Sequence, residues 1–104
     1  MFRWHEASTN LDLDQVGPFF EHLNAALGSG FDTATLTRFA ETTEVEDERA
    51  MKTQATFEGR KHTVRFEVFM DNIAAPDIAL FTRKAAFAEA IQSEIIAFCD
   101  ALGI

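Results

Sequence analysis

Tyrosine is absent from the sequence, and cysteine and tryptophan occur once each among its 104 residues. A ligand site lined by phenolic hydroxyls is therefore excluded. The aromatic content is carried by 11 phenylalanines, which bring apolar area without a polar handle and so belong in a core. The lone Cys99 has no partner for an internal disulfide. Basic residues are scarce as well: 9 Lys and Arg stand against 17 Asp and Glu, a formal net charge of −8. A field of that sign repels phosphate backbones and anionic lipid and attracts cations and basic proteins, so neither nucleic acid nor membrane is an expected partner. No apolar run approaches the roughly 20 residues of a membrane span, and the first residues have neither the charged nor the apolar region of a signal peptide. A cytoplasmic protein is expected.

Residues 1–104 are read as one domain. A chain of this size buries enough surface to fold without a disulfide or a metal, and 47% hydrophobic content is ordinary for a globular protein. The clearest pattern runs from Met51 to Met70. Glu58-Gly59-Arg60-Lys61 has turn chemistry, and a type II′ hairpin with Gly59 at its positive-φ position is expected. Pairing Glu58 with Lys61 then sets Phe57 against His62, Ala55 against Val64, Thr53 against Phe66 and Met51 against Val68, one largely apolar face. The alternate pairs, Lys52 with Glu67, Gln54 with Arg65 and Thr56 with Thr63, make a polar face with matched charges.

Upstream, Val16, Phe19, Phe20, Leu23 and Leu27 recur at helical spacing. Asp12 or Asp14 is the expected cap and Gly28-Ser29-Gly30 the expected stop, with the regular helix beginning as late as Pro18. Residues 32–43 carry two signals. Leu36, Phe39 and Ala40 are spaced for a helix behind Asp32, whereas threonines at 33, 35, 37, 42 and 43 favour extended structure; a strand is preferred because it gives the hairpin a neighbour. Phe2 and Trp4 alternate with Arg3 and His5 as in a short edge strand. Residues 71–76 read as a loop and Ile78 to Phe81 as a short strand. Thr82 is the expected cap of a last helix with Phe87, Ile91, Ile95, Phe98 and Leu102 on one face and Ile96 off the stripe. The expected fold is α+β, in the order α-β-β-β-β-α: an antiparallel sheet of three to four strands with an N-terminal and a C-terminal helix on the face of Val64, Phe66 and Val68.

Chemistry-bearing motifs are sparse. His5, His22 and His62 are far apart and lie in no HxH or HExxH arrangement, and Asp71, Asn72 and Asp77 do not make a calcium loop, so no metal is expected. Cys99 near a helix C-terminus is expected to be a small buried hydrophobe. No serine sits in a GxSxG setting, and the glycines form neither a P-loop nor a dinucleotide fingerprint. No catalytic residue and no cofactor is assigned. Two features stand above this background. Thr82, Arg83 and Lys84 place two cations in a first helical turn, an arrangement suited to an anion; a wider small-ligand site would add His62 and Trp4. The run Glu41, Glu44, Glu46, Asp47 and Glu48, with the surplus apolar residues Phe69 and Ile96, suits a protein partner. Glu44, Glu46, Asp47, Glu48, Phe69 and Ile96 are thus the candidate partner-binding residues. The expected function is a non-enzymatic interaction module, either a homodimer or an inhibitor-like binder of a basic protein, with an anionic-ligand site at the last helix as the alternative.

Overall fold

The longest-range pairing in the molecule joins its first strand to its last. In the computed structural model, which describes residues 3–71 and 75–103, β1 (His5–Asn10) lies antiparallel to β4 (Asp77–Thr82), with His5 opposite Thr82 and Asn10 opposite Asp77. Between them the chain forms a 3-10 turn (Leu13–Gln15), α1 (Val16–Leu27), α2 (Thr33–Glu41), β2 (Glu48–Phe57) and β3 (Arg60–Phe69); α3 (Ala85–Leu102) follows β4. The four strands make one antiparallel sheet in the order β1-β4-β3-β2. The fold is α+β as expected, but its order is β-α-α-β-β-β-α. Phe2 and residues 72–74 of the expected 71–76 loop lie outside the described residues.

Two elements differ from the sequence reading. Residues 33–41 are helix, not strand. Asp32 caps α2 by accepting from the Thr35 backbone N–H at 3.2 Å and the Thr35 hydroxyl at 2.8 Å. The Leu36-Phe39-Ala40 stripe then packs inward, Leu36 and Ala40 fully buried and Phe39 against Phe66 at 5.9 Å between rings. Burial of that face outweighs the threonines' modest cost in helix. The strand expected there is supplied by β1, which begins a little later than the alternation at Phe2 and Trp4 implied. At its start, α1 takes Gly17 and Pro18 into its first turn, and Asp12 makes no side-chain cap bond. Gly28 ends it in the left-handed conformation, φ 63°.

The hairpin turns at Glu58-Gly59, not Gly59-Arg60. Both residues have positive φ, 52° and 77°, the signature of a type I′ turn, whose twist matches that of the strands. Phe57 therefore pairs with Arg60, Thr53 with Val64, Met51 with Phe66 and Lys52 with Arg65. Each partner is displaced by two residues from the expected register. Since side chains alternate with period two, the displacement keeps every residue on its expected face and changes only what it meets.

Among the described residues, the ring contacts between helices and sheet fall on one alternating set. Phe20 of α1 meets Phe66 edge-on at 5.2 Å, and Phe87 of α3 stacks on Phe57 at 4.7 Å and touches His62. Ala7, Ala55, Val64, Phe66, Val68, Ile78 and Leu80 on this face are all buried. Such aromatic pairs add about 0.5–1.5 kcal/mol each beyond the area they bury. In the linker between α1 and α2, the Asn24 amide accepts from the Ser29 hydroxyl at 2.8 Å and Phe31 N–H at 2.7 Å and donates to the Phe31 carbonyl at 3.0 Å and Thr33 Oγ1 at 3.4 Å, and the Ser29 carbonyl accepts the Thr56 N–H of β2 at 2.7 Å.

Candidate functional site

The opposite side of the sheet is built from the other alternating set, and its residues are exposed or half-buried. Antiparallel register lines them up in rows across the strands. One row reads Asn10, Asp77, Phe69, Glu48; the next Ser8, Ala79, Glu67, Ala50; the next Glu6, Phe81, Arg65, Lys52. One step further come Trp4, Arg83, Thr63 and Gln54, where the Arg83 guanidinium lies 4.8 Å from the centre of the Trp4 ring. Thr56 and Lys61 close the series.

This order sets most of the acids towards one end of the strands and the bases towards the other, with Glu6 in the row of Arg65 and Lys52. Glu48, Glu67 and Asp77 gather at one end, where with Glu6 they line a depression of ≈ 270 Å³ floored by Phe69 and Ala79. Lys52, Lys61, Arg65 and Arg83 gather at the other. Trp4, His62 and three of these cations line a second open depression of ≈ 370 Å³. Four of the chain's 9 basic residues thus stand on half of one face of an acidic protein. The expected register would have set Lys52 against Glu67 and spread the two signs across the face. The observed one sets Lys52 against Arg65, and Arg65 is balanced along its own strand by Glu67 at 2.6 Å. Phe81 and Phe69 lie between the ends, Phe69 38% exposed.

The sequence-predicted residues divide across the molecule. Thr82 is fully buried on the helix-contacted face, where its hydroxyl accepts the Lys84 N–H at 3.2 Å; it is not the cap, since Lys84 holds that position and α3 starts at Ala85. Arg83 and Lys84 therefore precede the helix instead of occupying its first turn. Arg83 joins Trp4, and His62 and Thr82 share their depression, so four members of the wider ligand set do come together. Glu48 and Phe69 are direct cross-strand partners on the sorted face. Glu44, Glu46 and Asp47 form the adjoining exposed turn, tied to the end of β3 by the Met70 N–H donating to the Asp47 carbonyl at 3.0 Å and by the Glu46 N–H donating to the Met70 carbonyl. Ile96, 58% exposed, lies on α3 and not on this face. Glu6, Trp4, Phe81 and Asp77 are among the face residues not named as partner-binding from sequence; their grouping depends on β4 pairing with both β1 and β3.

Among the described residues, no three His, Cys, Asp or Glu side chains are arranged to hold a metal ion, and no helix is long and apolar enough to cross a membrane. Cys99 is half-buried, 3.9 Å from the Thr9 hydroxyl. Compared with protein-family models, curated proteins and solved structures, the chain matches none. The site must be judged on its own chemistry.

Proposed function

We propose that the protein is a non-enzymatic, cytoplasmic protein–protein interaction module that docks its partner on the charge-sorted face of the sheet. The supporting observation is the combination on that face of half-exposed aromatic rings with two opposite charge clusters. Aromatic residues bring most of the energy of a protein interface, and flanking charges set orientation and select the partner. A tagged wild-type protein should retain a bound protein, a second copy of itself included, that Phe81→Asp loses and Ile96→Asp keeps, with both variants melting as the wild type does. Binding lost with Ile96→Asp and unchanged in Phe81→Asp would move the docking surface to α3 and end this reading.

One observation favours a second reading. Trp4, His62, Lys52, Lys61 and Arg83 around one depression suit a small anion carrying an aromatic group, which would stack on the indole. Calorimetric titration with inorganic pyrophosphate and with a nucleoside diphosphate tests it, and heat from neither removes it.

A further inference from the structure

We infer that the protein pairs with a second copy of itself along the edge of β2, strand to strand and antiparallel, about a two-fold axis that crosses the sheet at Ala50. This edge is separate from the outer face of the sheet and leaves that face open to the docking proposed above.

The two edges of the sheet are finished differently. β1 is short, and α3 serves its edge: the Ser8 N–H donates to the Gln92 side chain at 3.1 Å, and the Thr9 hydroxyl lies against Cys99. β2 is ten residues long, and its Thr56 N–H donates to the Ser29 carbonyl at 2.7 Å. That bond fixes the direction of the rest. Successive residues of an antiparallel strand turn their backbone groups to alternate sides, and β2 pairs only with β3. Gln54, Lys52, Ala50 and Glu48 therefore point theirs outward, as Thr56 does. The Glu48 N–H is bonded to the Asp47 carboxylate at 2.9 Å. Among the described residues, no protein group bonds the outward backbone of Ala50, Lys52 or Gln54. The turn before β2 leaves them clear, because its Glu46 and Asp47 bond to Met70 at the end of β3.

Such a row of unpaired groups is a template for another strand, and strand addition draws its affinity from main-chain hydrogen bonds. Charge selects the strand and its register. An edge lysine ordinarily blunts pairing, and copies centred on Lys52 would set lysine on lysine. Centred on Ala50, they set Glu48 of one copy against Lys52 of the other, twice, with the small Ala50 facing its equivalent. Among the described residues, neither of these two side chains is in an ion pair within its own copy. Ala50 then exchanges both backbone bonds with its equivalent, and each Lys52 N–H donates to the Glu48 carbonyl opposite. Centring on Met51 would match neither charge, and its added pair, Gln54 with Glu48, gains little because the Glu48 N–H is already bonded. Paired residues share a face, so both helical layers lie on one side and the two four-stranded sheets become one. Each contact occurs twice, as an isologous interface requires. The net charge of −8 on each copy keeps the dimer weak and reversible.

The test is a charge swap. Glu48→Lys and Lys52→Glu, each alone, set like charges together at both ends and should weaken self-association by about tenfold or more in sedimentation equilibrium. Mixed one to one, they should recover it as a heterodimer, because each variant supplies what the other lacks. A second measurement needs neither variant. In a Cys99→Ala background, Ala50→Cys sits at the axis, with its Cα about 5.5 Å from its equivalent. It should oxidise to a disulfide-linked dimer under copper–phenanthroline, and Gln54→Cys should not. Wild type that stays monomeric to about 1 mM, a mixture as dissociated as its components, or Ala50→Cys that links no faster than Gln54→Cys would each overturn the inference. Phe81→Asp should leave self-association unchanged. Self-association lost in Phe81→Asp and kept in both single swaps would also overturn it, while leaving the docking face in place.

Discussion

Replacing Glu58 by asparagine should stabilise the protein. Glu58 stands at φ 52° and Gly59 at φ 77°, the two loop positions of a type I′ turn. For an L-residue other than glycine, the left-handed conformation costs roughly 1–2 kcal/mol through the approach of Cβ to the following carbonyl oxygen. Asparagine recovers much of this by local hydrogen bonding, and Asn-Gly is the preferred type I′ pair. Glu58 is exposed, so little else changes. A gain of about 1 kcal/mol is expected, a rise of about 4 °C or somewhat more in melting temperature for a chain of this length. Glu58→Gly should gain less, since glycine also frees the unfolded chain. Gly59→Ala should lose about 1 kcal/mol or more for the mirror reason. Thermal melts of the three variants, with urea titrations to supply the free energies, decide the matter. In a type II′ turn over Gly59-Arg60, residue 58 would be an extended strand residue, and asparagine there would be neutral or destabilising. A Glu58→Asn protein no more stable than wild type would therefore refute the I′ assignment and the register that depends on it.

Other substitutions test the helical layer. Asn24→Asp removes both amide donors of the α1–α2 linker and sets a carboxylate against the Phe31 carbonyl, now bonded at 3.0 Å; a loss of about 2 kcal/mol is expected in urea titration, and a loss below about 0.5 kcal/mol would show that the amide is dispensable. The hydroxyl of Thr37 is buried with no hydrogen-bond partner among the described residues, so Thr37→Val should gain up to about 1 kcal/mol in the same assay; a loss would mean that the hydroxyl is satisfied. The Asp32 carboxyl is held below its ordinary value of 3.8 by the Thr35 hydroxyl and then by the Thr35 N–H. A depressed carboxyl stabilises the fold above its unfolded pKa and ceases to do so as pH falls through the folded one. Asp32→Ala should therefore melt below the wild type near neutrality, and the gap should narrow below pH 3.8. A gap unchanged down to pH 2 would rule out the ionised cap as its source.

How much of this was legible from sequence depended on the kind of signal. The faces of the hairpin were, because a period of two survives any even displacement of register. Its partners were not, because nothing about glutamate announces a positive φ, and Gly59 was the natural candidate for the only such position. The error has a consequence beyond pairing: in the expected register Lys52 faces Glu67, and in the observed one it faces Arg65, which Glu67 balances along its own strand. Residues 33–41 were misread because β-branching is a local preference, whereas the gain from setting Phe39 on Phe66 is tertiary. β1 was faint because Ala7 is its only fully buried residue, which leaves no apolar alternation to read. Ile96 off its helical stripe, the left-handed stop at Gly28 and the cap at Asp32 were all readable, each being set within a few residues. The Trp4–Arg83 contact was invisible for the opposite reason.

The placement of β1 beside β4 also bears on how the protein is made. Its partners are roughly seventy positions away in the chain, and a ribosome adding about 5–20 residues per second needs several seconds to supply them. The β2–β3 hairpin closes in microseconds once it emerges. Of the four strands the first to be translated therefore waits for its partner, and until residues 77–82 emerge neither β1 nor the edge of β3 that β4 will cover has a strand to pair with. Slowing of translation anywhere before residue 77 lengthens that interval, during which the nascent protein depends most on chaperones.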